Sequence, residues 1–371
     1  MGRIKNNTQM HKLQSFHHLG LIWAIIAFLG LPALGRAQSY PPAWNTTAHY
    51  AIGDQVQENG NIYRAIRAVT STGVDPAKYY TYWELYDVRA NTTLFIGSQE
   101  TFPTFLLAWN YAVNCRISPA VYLHFYISTF HANLTETFAG PFSLDHPFGA
   151  NISILGDFAP NILFNFSNAS GNGFAIDSGH SIAAMLNFTV QGGQGVIDGY
   201  AIAADGNATF GSIGSVTMNN FNGGILAQHG AVVHCANNLI FQQIDGPFSA
   251  LYNGIIMVDP GFTYTSTTPA LVFYADFGGQ IIAETCDVEN TYFGARANHA
   301  GIIDVNGCRM KSLSLHALIA DQGARIYAEN AILSSNPSDI TVSDGGTVDV
   351  IGAIYTNVSS DNQNGSYIIV S

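Results

Sequence analysis

The chain is poor in charge. Only 10% of its 371 residues are Asp, Glu, Lys or Arg, and the 13 Lys and Arg face 25 acids. So few cations cannot neutralise a row of phosphates, which argues against nucleic acid and against anionic membrane surfaces as partners. The four cysteines, Cys115, Cys235, Cys286 and Cys308, are widely spaced and give no zinc pattern. They leave open three disulfide pairings or a role as small buried hydrophobes. His180, His229, His234 and His316 are scattered, so neither a metal site nor a cofactor is expected. After the N-terminus no stretch holds 18 uninterrupted apolar residues, and no later membrane span is expected.

One apolar run does occur, at the start. Arg3, Lys5 and Lys12 lead into Leu19 to Leu34, and Gly35-Arg36-Ala37 follows. Charged, apolar and small residues in that order read as a secretory signal peptide over residues 1–37. The run is shorter than the roughly 20 residues that span a bilayer. Cleavage after Ala37 would remove four cations and leave nine against 25 acids, a net charge of −16. The expectation is a secreted, extracellular protein with no membrane attachment after cleavage. Export permits disulfides and glycans on Asn-x-Ser/Thr sites, of which Asn45, Asn133 and Asn165 are examples.

Glu, Lys and Arg are scarce, whereas Asn, Thr, Ser, Gly, Val, Ile, Tyr and Phe abound. This is β composition. Residues 40–88 read as a small aromatic unit. Gly53-Asp54 makes a turn, Gln55 to Glu58 a strand, and Asn59-Gly60 a hairpin turn into the return strand from Ile62 to Val69. Gly73 to Pro76 turns the chain again towards Tyr82-Trp83. A unit this small must draw much of its core from aromatics, and Tyr63 and Trp83 are assigned to it.

Trp44, Tyr50, Gly53-Asp54-Gln55-Val56, Asn59-Gly60, Tyr63-Arg64-Ala65, Gly73-Val74-Asp75-Pro76 and Trp83 stand in the order of a known pattern. At these residues the segment resembles the chitin-binding type 3 modules (carbohydrate-binding module families 5 and 12). The resemblance implies a polysaccharide or cell-surface glycan as partner, with sugar rings stacked on aromatic side chains. Chitinase-attached members carry exposed aromatics where this chain has Ile66, Arg67 and Ala68. Trp44, Tyr79, Tyr80 and Tyr82 are therefore the candidates for carbohydrate binding, with Tyr79 and Tyr80 expected to be exposed.

Residues 91–371 differ in character. Residues 102–112 carry a helical apolar pattern suited to capping a stack. From Phe174 onward, short apolar strands end in turn glycines that recur at roughly every two dozen residues. Gly179, Gly206, Gly230, Gly261, Gly278, Gly323 and Gly345 mark the turns, and Gly301 to Gly307 mark a further coil. Each coil has one apolar row that only stacking can bury, and Ala204, Ala227 and Ala320 suit a tight interior. The expected class is all-β: a right-handed parallel β-helix (solenoid) behind a small N-terminal hairpin module. In repeat style it resembles the pectate-lyase-like β-helices, particularly those of phage tail spikes.

An Asp precedes most turn glycines: Asp177, Asp205, Asp259, Asp276, Asp321 and Asp344. Stacked on neighbouring coils they would stand about 5 Å apart, the separation of a retaining glycosidase pair. Asp before Gly is also ordinary turn chemistry. Asp259 and Asp276 are the catalytic candidates from this row, and Asp287 and Glu289, which alternation places on one strand face, are the others. The Asn-Thr-Asp, Asp-Asp and Gly-His-Gly set of polygalacturonase-like hydrolases is missing, as is a basic site for an acidic sugar. Three functions follow: an exported carbohydrate-binding protein first, a polysaccharide-degrading glycosidase or lyase second, and a spike or adhesion component, a homotrimeric rod, third.

Overall fold

A computed structural model describes residues 40–167, 171–193, 197–265, 270–360 and 365–370. The segment read as a signal peptide lies outside these residues. Among them no helix is long and apolar enough to cross a membrane.

The small unit forms as its turns dictate. β1 (Gln55–Glu58) and β2 (Asn61–Ala65) pair antiparallel, and β3 (Trp83–Val88) adds to β2. The turn between β1 and β2 uses two left-handed residues, Asn59 at φ 49° and Gly60 at φ 82°, which matches the twist of a two-residue hairpin. Tyr63 and Trp83 are buried as expected. Tyr50 meets Trp83 edge-on at 5.2 Å, and the Trp83 indole N–H donates to Val74 O.

The rest of the described chain is a parallel β-helix. Outside the hairpin unit every ladder among the described residues is parallel. Each coil contributes three faces in sequence order. The first face stacks Ile255–Val258, Gln280–Ile282, Ile302–Asp304, Arg325–Tyr327 and Thr347–Asp349. The second stacks Thr263–Thr265, Asp287–Glu289, Arg309–Lys311 and Ile332–Ser334. The third stacks Leu271–Asp276, Phe293–Ala297, His316–Ala320 and Ser338–Val342. Alternation sets which side chains enter the tube. On the third face Ala204, Ala227, Ala250, Ala275, Ala297 and Ala320 form a fully buried column, at successive spacings of 23, 23, 25, 22 and 23 residues.

The second face is not continuous. Residues 217–219 carry residues 240–242 on the next coil, but no ladder among the described residues joins 240–242 to Thr263–Thr265. The tube wall is split there, while the first and third faces run on through the same coils.

The N-terminal end is plugged by α1, Phe105–Ala112, three residues shorter than the expected 102–112. Pro103 lies before the cap, Phe102 bridges Ile96, and Thr104 Oγ accepts the Leu107 N–H. Glu136, buried on the second face, accepts the Phe105 and Leu106 N–H groups at 2.7 and 2.9 Å. A carboxylate there meets the positive end of the helix. Burial nevertheless raises its pKa. Phe105 packs on Phe125, Phe142 and Phe164 at 5.4–5.7 Å, covering the first coil's core.

Of the four cysteines, Cys286 and Cys308 lie on adjacent coils with Cα atoms 4.5 Å apart and form a disulfide. Cys115 and Cys235 are buried thiols.

Stacked coils leave no space where one backbone crosses the next. A Cβ on Gly279 would sit 2.0 Å from Ala250 O of the coil below, and neither backbone can retreat without breaking its ladder. Gly323 is different, with open space around it and a φ of +75°. Gly279→Ala is therefore expected to destabilise the protein by about 2–3 kcal/mol, as overpacking does. Gly323→Ala carries only the left-handed backbone penalty of about 1 kcal/mol. Urea unfolding of the two variants measures the difference.

Candidate functional site

The hairpin unit places its aromatics unequally. Tyr79 follows the turn that begins at Asp75 and is 47% exposed. Trp44 and Tyr82 are half-buried against the core, and Trp44 is held by its N–H to Gln57 O. Tyr80 points the other way. Its ring packs at 5.1 Å on Phe102, which in turn meets Tyr111 of α1. The residue expected to be exposed is thus half-buried, because the unit lies against the solenoid's first coil. The same joint holds the Tyr111 hydroxyl, which donates to Pro76 O at 2.8 Å. It also holds Asn61, whose amide donates to Thr92 Oγ and whose oxygen accepts the Arg89 and Ala90 N–H groups. β3 even adds to the short strand β5, found after β4 (Thr92–Ile96) at Arg116–Ile117. Ile66, Arg67 and Ala68 are exposed, with no aromatic among them.

Asp75, whose carbonyl accepts the Tyr79 N–H, belongs to an acid pair. Glu58 ends β1 beside Asp75. Asp75 accepts the Ala77 N–H at 2.9 Å and faces Lys78 Nζ at 3.3 Å. Glu58 Oε2 is buried without a donor. Burial first, then the hydrogen bond and charge of Asp75, push the Glu58 pKa up to about 7. Burial also pushes the Tyr63 hydroxyl up to about 12.

The acid row of the solenoid does not stack as the turn spacing implied. Asp177 and Asp205 occupy equivalent places on neighbouring coils, where Asp205 N–H bonds Ile176 O. The next coils place Gln228 and Leu251 there, then Asp276 and Asn298. Asp259 is not in this row. It follows Ile255–Val258 and turns the chain from the first face to the second, whereas Asp276 turns it from the third to the first. Both corners use left-handed residues, Gly261 in one and Phe277-Gly278 in the other, so both select the same turn letters. Asp259 and Asp276 therefore do not stand on neighbouring coils as a stacked carboxylate pair.

Each candidate acid has a local partner instead. Asp259 accepts from His234 Nε2 at 2.8 Å. Asp276, nearly buried, accepts from the Tyr274 hydroxyl at 2.7 Å, the Phe277 N–H at 2.9 Å and His299 Nδ1 at 2.8 Å. Burial, then the bond and charge of Asp276, push the Tyr274 hydroxyl up to about 12. Asp287 and Glu289 do share a strand face, and Arg309 of the next coil pairs with both. The acids and arginine form a charged ladder across coils.

Four rings line the corner after the third face. His229, Tyr252, Phe277 and His299 stack at 5.0, 4.9 and 4.5 Å with interplanar angles of 4–8°. Asp205 holds His229 at one end and Asp276 holds His299 at the other. Burial pushes Asp205 up, but bonds from His229, Gln228 and the Gly206 N–H outweigh it and hold the pKa below its ordinary value. The inner ring faces cover one another and are closed to a ligand. The sequence signal was a ring-bearing residue one step before the turn glycine, in His229-Gly230 and Phe277-Gly278.

Two further clusters are tied by local hydrogen bonds. Asp145, Asp177 and His180 offer ligand atoms within 4.8 Å of one another, but Asp145 already accepts the Asp177 N–H, and His180 Nδ1 bonds Asp177 O. Cys115 Sγ lies 3.8 Å from His146 Nε2 in the core. His146 Nε2–H donates to Ala112 O, and Nδ1 accepts the Phe148 N–H. Burial lowers the imidazole to about 4 and pushes the thiol up to about 12, the reverse of an activated cysteine.

The raised Glu58 pKa fixes a sign. Its stabilising contribution is complete below the ordinary carboxylate range and is lost as pH rises through about 7. Melting temperatures of wild type are expected to fall between about pH 5 and about pH 8 by more than those of Glu58→Gln.

No family model, no curated protein and no solved structure matches this chain.

Proposed function

We propose that this chain is an exported carbohydrate-binding protein, whose hairpin unit engages a chitin-like extracellular polysaccharide. The carrying observation is the ordered run from Trp44 to Trp83. It folds with Tyr63 and Trp83 as core, leaves Tyr79 in solvent and keeps Trp44 and Tyr82 half-buried. A ring with one open face is what a pyranose stacks on. The scarcity of cations favours a neutral glycan over a uronate or a phosphate polymer. Export rests on the N-terminal signal pattern, and the Cys286–Cys308 disulfide is in keeping with an oxidising compartment.

Retention of the purified protein on chitin, with a glycan array alongside, tests this. Tyr79→Ala is expected to weaken retention by about tenfold, the loss of one stacked ring. A wild-type protein that passes chitin and every arrayed glycan unbound sinks the reading.

A second reading, polysaccharide cleavage, draws on the Asp276–His299 pair. A carboxylate on Nδ1 orients an imidazole as it would a general base. Release of reducing sugar by wild type, abolished in Asp276→Asn, would decide for it. An unchanged rate in the variant would remove Asp276 from the chemistry.

A further inference from the structure

The turn after Gly73 ties three parts together: the exposed Tyr79 ring, the hairpin strands and the cap of the solenoid. Asp75 organises it. Its carbonyl accepts the Lys78 and Tyr79 N–H groups at 3.1 and 3.0 Å, and its carboxylate accepts the Ala77 N–H at 2.9 Å. On one side the Trp83 indole holds Val74 O at 3.1 Å. On the other, buried Pro76 carries the carbonyl that takes the Tyr111 hydroxyl of α1, and Tyr80 packs on Phe102. A displacement of Asp75 therefore reaches both Tyr79 and the joint with the solenoid.

Glu58, at the end of β1, meets Asp75 from the hairpin side. An ionised carboxylate can only accept hydrogen bonds. Glu58 Oε2 is buried with no donor to accept from, so the ionised form is left unsatisfied there. A protonated Glu58 has a hydrogen to give, and the Asp75 side chain is there to take it. The arrangement suits one proton on the pair and is unsuited to none.

We propose that Glu58 and Asp75 form a pH-sensitive latch: protonated Glu58 seats the turn from Asp75 to Tyr79 against the hairpin strands and α1, and its ionisation releases the turn. The surroundings leave Glu58 as the group that changes charge. The titratable groups around it are Asp75 and Lys78 of the turn, Tyr63 of β2 and Tyr111 of α1. Burial pushes the Tyr63 hydroxyl up to about 12 and the Tyr111 hydroxyl well above its ordinary value, so both stay neutral phenols. Lys78 faces Asp75 Oδ2 at 3.3 Å, but its side chain is 72% exposed, and water screens what it offers a buried oxygen. Glu58 itself is pushed up to about 7, by burial first and then by Asp75, which places the release in the neutral range. The turn is seated below that pH and free above it, where two carboxylates face each other in a half-buried site. The β1–β2 ladder does not run through the turn and keeps its pairing in both states. The latch itself needs no ligand. Its consequence for glycan affinity rests on the reading above, since Tyr79 is the ring that the turn presents.

Amide hydrogen exchange of the full chain at about pH 6 and about pH 8 tests the latch, read as protection factors so that the intrinsic effect of pH is removed. Protection of the Ala77, Lys78 and Tyr79 amides is expected to fall by about tenfold in wild type, following the protonated fraction of Glu58. The β2 amides are expected to keep theirs. Glu58→Gln is neutral at both pH values and is expected to hold the turn closed. Asp75→Asn keeps an oxygen for the Ala77 N–H and offers Glu58 an amide donor, so it too is expected to lose the fall, and it serves if Glu58→Gln does not fold. Equal protection of the wild-type turn at both pH values overturns the latch, as does a fall that persists in both variants. Retention on chitin at the same two pH values is read separately. No retention at either, with the exchange result as expected, sinks the glycan reading and leaves the latch standing.

Discussion

Everything in this protein depends on a coil's inability to bury its own inward row. A single turn of the tube exposes Ile, Val, Phe and Ala on the inside, and only a second turn in register removes them from water. Register is set by the corners, where left-handed residues such as Phe277, Asp344 and Asn330 turn the chain from one face to the next within a step or two. Small residues then decide how tight the tube is. The Ala204 to Ala320 column keeps the end of the third face thin, while Phe248 and Phe273, two residues earlier on the same face, pack with Phe262 to fill the interior beside it. The hairpin unit and α1 answer the same constraint at the open end, since the first coil has nothing beneath it.

This explains what could be read in advance and what could not. The Asn59-Gly60 turn, the strand Gln55–Glu58, the buried Tyr63 and Trp83 and the alanine column are local consequences of residue type, so the sequence carries them openly. Asp259 was assigned to the wrong corner because both corners ask for the same turn chemistry, and the letters Asp-Pro-Gly and Asp-Phe-Gly do not say which face precedes them. Tyr80 looked like surface because a turn precedes it. Only the position of α1 makes it part of the joint. The disulfide needed the coil length, since Cys286 and Cys308 pair through being 22 residues, one coil, apart.

The candidate site was less legible than the fold. Asp276 was singled out as an acid in a row, and its neighbours prove to be Tyr274 and His299 rather than another carboxylate. Asp287 and Glu289 share a face as alternation implied, but Arg309 comes from a different coil and cannot be seen by local spacing. The seam at residues 240–242 left no mark in the composition, because a ladder that fails to form changes no residue type.

The split has a mechanical meaning as well. In a parallel β-helix the backbone hydrogen bonds point along the tube axis, so a pull on the two ends loads successive coils in series. Nearly every interface shares that load among three ladders. Between residues 240–242 and Thr263–Thr265 only two walls carry it. The coils C-terminal to that point are tied by the Cys286–Cys308 bond, which does not cross the split. Under tension the seam is therefore weaker than the three-ladder interfaces on either side of it.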